Sequence, residues 1–178
     1  MRCRNWRQLW WISGVAVAAL LGGMYVTAQD NKAKDDPAVA RTRKQVMMLD
    51  DLYKTAIVLV TENYVNKPSD LAAGAAFQKL FEAMRAKGHH DVRLLDATGE
   101  PYDDDNAPRD DFEKAAIAAL KGGKPSYEQV VVKEGHRYLR LATPIPVVMK
   151  KCTLCHPIYE KATGSQPIGA LSYTVTVE

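Results

Sequence analysis

The sequence predicts an α+β domain in which helices lead into an antiparallel sheet. Three observations carry that expectation. Two long stretches in the first half repeat apolar residues at helical spacing, the second half holds β-rich runs broken by turn residues, and the final run alternates apolar and polar side chains.

The chain opens with Arg2, Arg4 and Arg7, followed by an uncharged stretch from Leu9 to Ala28, the pattern of a positive n-region and an apolar h-region. Val26-Thr27-Ala28 offers compact residues where a signal peptidase reads, so cleavage after Ala28 is the expected outcome. The alternative is an uncleaved inner-membrane anchor, since a stretch of about 20 apolar residues spans a bilayer, with the arginines held on the cytoplasmic side. Either way the rest faces the periplasm. The expected organisation is a signal peptide or anchor over residues 1–28, a polar linker over 29–37 and one domain over 38–178.

From Ala38 to Val65, Val46, Leu49, Tyr53, Ala56, Val60 and Tyr64 make one apolar stripe, with charges such as Asp50, Asp51 and Lys54 expected elsewhere on the helix. Pro68-Ser69-Asp70 ends this helix and caps a second, whose stripe is Phe77, Leu80, Phe81 and Met84, stopped before Gly88. Asp91 to Asp96 reads as a strand and Ala97-Thr98-Gly99-Glu100 as the turn after it. A third, short helix starts near Pro108, carries Asp110, Asp111 and Glu113 at its positive end, and stops at Gly122-Gly123. Tyr127 to Lys133 and His136 to Thr143 form a hairpin around Glu134-Gly135. Leu171, Tyr173, Val175 and Val177 alternate with Ser172, Thr174 and Thr176 in the last strand.

The charge balance limits the partners. The whole chain has 24 Lys and Arg against 21 Asp and Glu, but without the three N-terminal arginines the two signs are equal. A neutral domain of mixed charge lacks the positive footprint that nucleic acid requires, so no nucleic-acid partner is expected.

The chemistry concentrates in Cys152-Thr153-Leu154-Cys155-His156. That spacing lets two thiols bond to the vinyl groups of one haem while the adjacent histidine binds the iron, which makes Cys152 and Cys155 the covalent attachment points of a haem c and His156 the proximal ligand. A structural zinc site needs about four ligands, and Cys3, on the far side of the export segment, is the only other cysteine. A thioredoxin-like dithiol would open a helix in a βαβ unit, which this order of elements does not contain. A disulfide between the two cysteines leaves His156 without a role.

The sixth iron ligand separates electron transfer from gas or substrate binding, and the motif does not specify it. Met47 and Met48 on the first helix offer thioethers, although methionine on a helix more commonly fills a core. His136 precedes the motif on its strand, beside a hairpin turn where an exposed histidine is the simpler reading. His89 and His90 are expected at a solvated helix end. Arg140, and with less reason Arg137, suits a haem propionate through its planar guanidinium. Tyr138 and Tyr173 are pocket or core aromatics, and the acidic run Asp103 to Asp105 reads as a solvated loop.

These residues together resemble a family of exported bacterial and cyanobacterial single-haem c-type proteins with a PAS-like sheet, generally described as a domain of unknown function. The resemblance runs from about Met47 to Val177. It rests on Asn106-Ala107-Pro108 before a helix with Glu113, on Tyr138, Arg140 and Pro144-Ile145, on the Cys152 to His156 motif, and on Gly169-Ala170 opening the last strand. Asp103 to Asp105 stands where relatives often carry a basic approach, so no propionate contact is expected from that loop. The resemblance implies a periplasmic module that senses redox state or a small gas. As the chain ends at Glu178, directly after the last strand, such a sensor would act through a redox or signalling protein. The alternatives are a periplasmic monohaem electron carrier and, third, a haem enzyme acting on peroxide or a small nitrogen compound.

Overall fold

The structure is a computed structural model that describes residues 36–67, 73–153, 159–160 and 166–178. The predicted export segment and the Pro68-Ser69-Asp70 cap lie outside the described residues. Among those described, no helix is long and apolar enough to cross a membrane.

The first helix, α1, spans Pro37–Tyr64. Asp36 starts it, its carboxylate accepting from the amides of Ala38 at 2.8 Å and Val39 at 3.4 Å, and Pro37 fills a first-turn position where no amide donor is needed. Helix α2 spans Ala73–Ala86, strand β1 Asp91–Asp96, and helix α3 Asp111–Lys121 with Asp110 accepting from the Glu113 amide at 2.9 Å. Strands β2, Tyr127–Lys133, and β3, His136–Pro146, form the predicted hairpin. Glu134 and Gly135 both adopt positive φ at its turn, 53° and 80°, as a twist-matched two-residue loop requires. Strand β4, Pro167–Thr176, closes the sheet.

All neighbours pair antiparallel in the order β1-β4-β3-β2, which places the last strand in the middle. The predicted α+β class and helix-then-sheet order are observed. Helices α1 and α2 cover one face, packing Val46, Tyr53, Phe77 and Phe81 against Val92, Leu139, Leu171 and Tyr173. Helix α3 covers the other with Phe112, Ala116 and Leu120 on Leu95, Ala142 and Ala170.

Three details differ from expectation. Strand β3 continues past Thr143 through Pro144 and Pro146, because β2 stops pairing at Ala142 and that side of the strand has no ladder to break. The buried face of α1 includes Asp50, at 3% exposure, between Val46 and Tyr53, whereas Tyr64 at the end of the predicted stripe is exposed. Met47 and Met48 are 39% and 65% exposed and fill no core.

Candidate functional site

Along α1 the fully buried residues are Val39, Thr42, Val46, Asp50 and Tyr53; from Lys54 to Tyr64 none is. The sequence in that second half is still apolar, with Ile57, Val58 and Val60, so the helix presents a hydrophobic surface that the sheet does not fill. The gap is a cavity of about 1200 Å³, larger than the roughly 300 to 1,000 Å³ of ordinary small-ligand sites. Ile57, Val58 and Thr61 of α1 form one wall, Phe77 and Phe81 of α2 a second, and Leu94, Ile145 and Leu171 of the sheet the floor.

The rim comes from irregular segments. A 3₁₀ turn over Lys150–Thr153 brings Met149, Lys151 and the half-buried thiol of Cys152 to the cavity. Lys151 docks this turn on the end of α1, donating to the Glu62 carbonyl at 2.6 Å and to Asn66 Oδ1 at 3.4 Å, where a helix exposes unpaired carbonyls. Tyr159 also lines the cavity. Burial raises its phenol above the ordinary range, and the nearby Asp96 and Cys152 add to that shift. Across the opening, Asn106 accepts from Gln78 at 2.8 Å, tying the acidic loop to α2. Asp103 and Asp104 are exposed, as expected, but they form part of this rim.

At the inner end the wall becomes polar. Asp50 Oδ1 accepts from Thr143 at 2.5 Å and from Tyr173 at 3.0 Å, and its Oδ2 accepts from Lys54 Nζ at 2.9 Å. Lys54 also reaches Thr143 Oγ1 at 3.0 Å and lines the cavity. Burial and the Asp50 charge push the Tyr173 hydroxyl well above its usual range, so it stays a donor. Neither Asp50 nor Lys54 had been assigned to the site from sequence; the signal was present as the continuation of Val46 to Asp50 to Tyr53 on one helical face and as the i,i+4 opposite-charge pair.

The predicted site residues are distributed unevenly. Cys152 lines the cavity, whereas Cys155 and His156 lie outside the described residues. Met47 and Met48 are not in the wall: both are solvent-facing and stand nearly two turns of α1 before Lys54. His136 is exposed at the hairpin end of β3, ten residues from Pro146, which borders the cavity, so about 33 Å of extended strand separates them. Arg140 points to the α3 face, since residues 139 and 141 face α1. Its guanidinium is held by Asp110 at 2.7 Å and stacked 4.2 Å over Phe112. It is therefore unavailable to a ligand in this cavity. His90 is half-buried rather than solvated, its Nε2 2.8 Å from the Tyr53 hydroxyl, and burial, aided by His89, lowers its pKa.

The cavity thus combines hydrophobic walls on three sides with the thiol of Cys152 at the rim and the Lys54 ammonium on its wall. No curated protein matches this sequence. The Tll0287-like family matches residues 26–169, most of the chain, ending three residues into the central strand β4, and on that match the protein belongs to the Tll0287-like family, a family of unknown function.

Proposed function

We propose that this protein is an exported, periplasmic haem-binding module, with one haem c joined through Cys152 and Cys155 and ligated on its proximal side by His156, and that it senses redox state or a small gas. The observation that carries this reading is the position of Cys152: the first thiol of the attachment motif stands at the rim of a large cavity walled by Ile57, Val58, Phe77, Phe81, Leu94 and Leu171. Such walls exclude water and favour a porphyrin-sized apolar body. When bound, haem would supply a one-electron couple and a metal that takes diatomic ligands.

Sensing is preferred to electron transfer because the thioethers and imidazole expected as sixth ligands, those of Met47, Met48 and His136, stand away from the cavity. A largely apolar cavity of this size would leave room for a gas beside the bound group. The signal would pass to a redox or signalling protein.

The test is expression of the exported domain with a cytochrome c maturation system, followed by haem staining after denaturing electrophoresis and by ferric and ferrous spectra with and without carbon monoxide. Stain retained in wild type and lost in Cys152→Ala/Cys155→Ala is the expected result, together with an altered spectrum in His156→Ala and a ferrous shift with carbon monoxide. Haem retained by the double variant would overturn the attachment. A low-spin ferrous spectrum indifferent to carbon monoxide would replace sensing with electron transfer.

A further inference from the structure

We propose that Lys54 is the residue that neutralises a haem propionate, its ammonium held on the inner wall of the cavity by Asp50 and Thr143. The inference rests on the haem reading above and assigns a binding role to a residue that the attachment motif does not contain.

The argument begins with donor counting. An ammonium has three N–H donors. Lys54 directs two of them at Asp50 Oδ2 and Thr143 Oγ1, both at about hydrogen-bond optimum, and the side chain itself lines the cavity. One donor is left for an acceptor inside. Asp50 does not depend on Lys54 alone, because the Thr143 and Tyr173 hydroxyls also donate to it. The ammonium is thus fixed in place by Asp50 and Thr143 with one donor that neither of them uses, which suits an anionic guest.

The second step concerns which part of the guest reaches it. In protoporphyrin the vinyl groups that form thioethers lie away from the edge that bears the two propionates. Cys152 marks the thioether end of the cavity, and its neighbour Lys151 is anchored on the Glu62 carbonyl. Lys54 stands eight residues before Glu62 on the same helix, about 12 Å along its axis. The cation and the thiol are therefore separated along the cavity, as the two edges of the macrocycle are. Lys151 sits at the thioether end, and Arg140 is on the far side of the sheet. Lys54, whose side chain is 27% exposed, is the lysine lining the wall away from that end.

The assignment is tested by redox titration of the holoprotein. A nearby cation favours the reduced haem, so Lys54→Met should lower the reduction potential, with a change on the order of tenfold in the ferrous-to-ferric ratio at fixed ambient potential, or about 59 mV for one electron. Lys54→Arg should restore the wild-type value. The decisive variant is Lys54→Met/Asp50→Asn, which removes a neutral pair. If Lys54 serves only Asp50, the potential stays where it was; if Lys54 compensates a propionate, the potential still falls. Lys54→Gln/Asp50→Asn, which also removes the pair but keeps hydrogen-bonding side chains at both positions, supplies the same readout should the first double variant fail to fold. An unchanged potential in these variants, with haem attached, overturns the proposal and leaves the haem reading intact. A wild-type potential that moves with added chloride or phosphate, and ceases to do so in Lys54→Met, would replace the propionate by an exogenous anion. Wild-type protein without covalent haem would overturn both inferences, and the stained gel shows that before any titration.

Discussion

Replacing Gly169 by alanine probes the floor of the cavity where β4 lies between β1 and β3. Gly169 pairs with Asp96 on one side and Ile145 on the other. A Cβ there would stand 2.7 Å from the Leu95 carbonyl oxygen, whereas ordinary contact begins at 3.4 Å. The obstructing atom is backbone in a buried strand, so no side-chain rotation relieves the clash and β1 or β4 must move. Overpacking of this kind costs about 1–3 kcal/mol, offset by roughly 0.4–1 kcal/mol from the restricted unfolded chain. The net loss, about 1–2 kcal/mol, corresponds to a fall in Tm of roughly 2–8 °C for a domain of this size. Thermal and urea unfolding followed by circular dichroism measure it. Gly74→Ala is the internal control: its Cβ meets only Leu94 Cδ2 at 3.7 Å, on a helix where alanine is favoured, and stability should rise by about 0.5–1 kcal/mol. Equal effects of the two substitutions, or a Gly169→Ala protein as stable as wild type, would refute the close-approach argument.

The buried network gives a second expectation: Asp50→Ala, which strands Lys54 and two hydroxyls, should cost about 3–5 kcal/mol in urea unfolding, and a loss under 1 kcal/mol would contradict its assigned place. His90 has a depressed pKa in the folded protein, so its contribution to stability is present above its unfolded value near 6.5 and is lost as pH falls through the lower folded value. His90→Gln should flatten the stability profile between about pH 7 and 5; an unchanged slope would mean that His90 is not buried in solution. Arg140→Gln should lower stability by about 1–3 kcal/mol through the loss of its contacts with Asp110 and Phe112, while leaving the haem potential unmoved. A potential shift equal to that of Lys54→Met would return the propionate to Arg140.

Much of the fold could be read from local pattern. Asp91–Asp96 and Tyr127–Lys133 begin and end where residue type and turn chemistry predict, because the signals that bound them are within a few residues. The extension of β3 through two prolines could not be read that way: whether proline breaks a strand depends on which side of it is paired, and pairing is non-local. Asp50 shows the same limit on a helix. A carboxylate in an apolar stripe is acceptable only with donors to meet it, and those come from Thr143 and Tyr173, 93 and 123 residues away. Arg140 looked suited to a carboxylate, and it does bind one; strand parity turned it to the Asp110 and Glu113 side instead of the cavity.

By itself, then, the amino-acid sequence determined the helix and strand segments, the α+β class and the thiol-thiol-histidine spacing, since helical period, strand alternation and motif spacing are properties of neighbouring residues. Only the tertiary structure decided that β4 lies at the centre of the sheet, that the second half of α1 walls a cavity with Cys152 at its rim, and that Lys54 instead of Arg140 faces into it. Those outcomes depend on which faces meet across the sheet, and burial of apolar surface is decided by partners far apart in the chain.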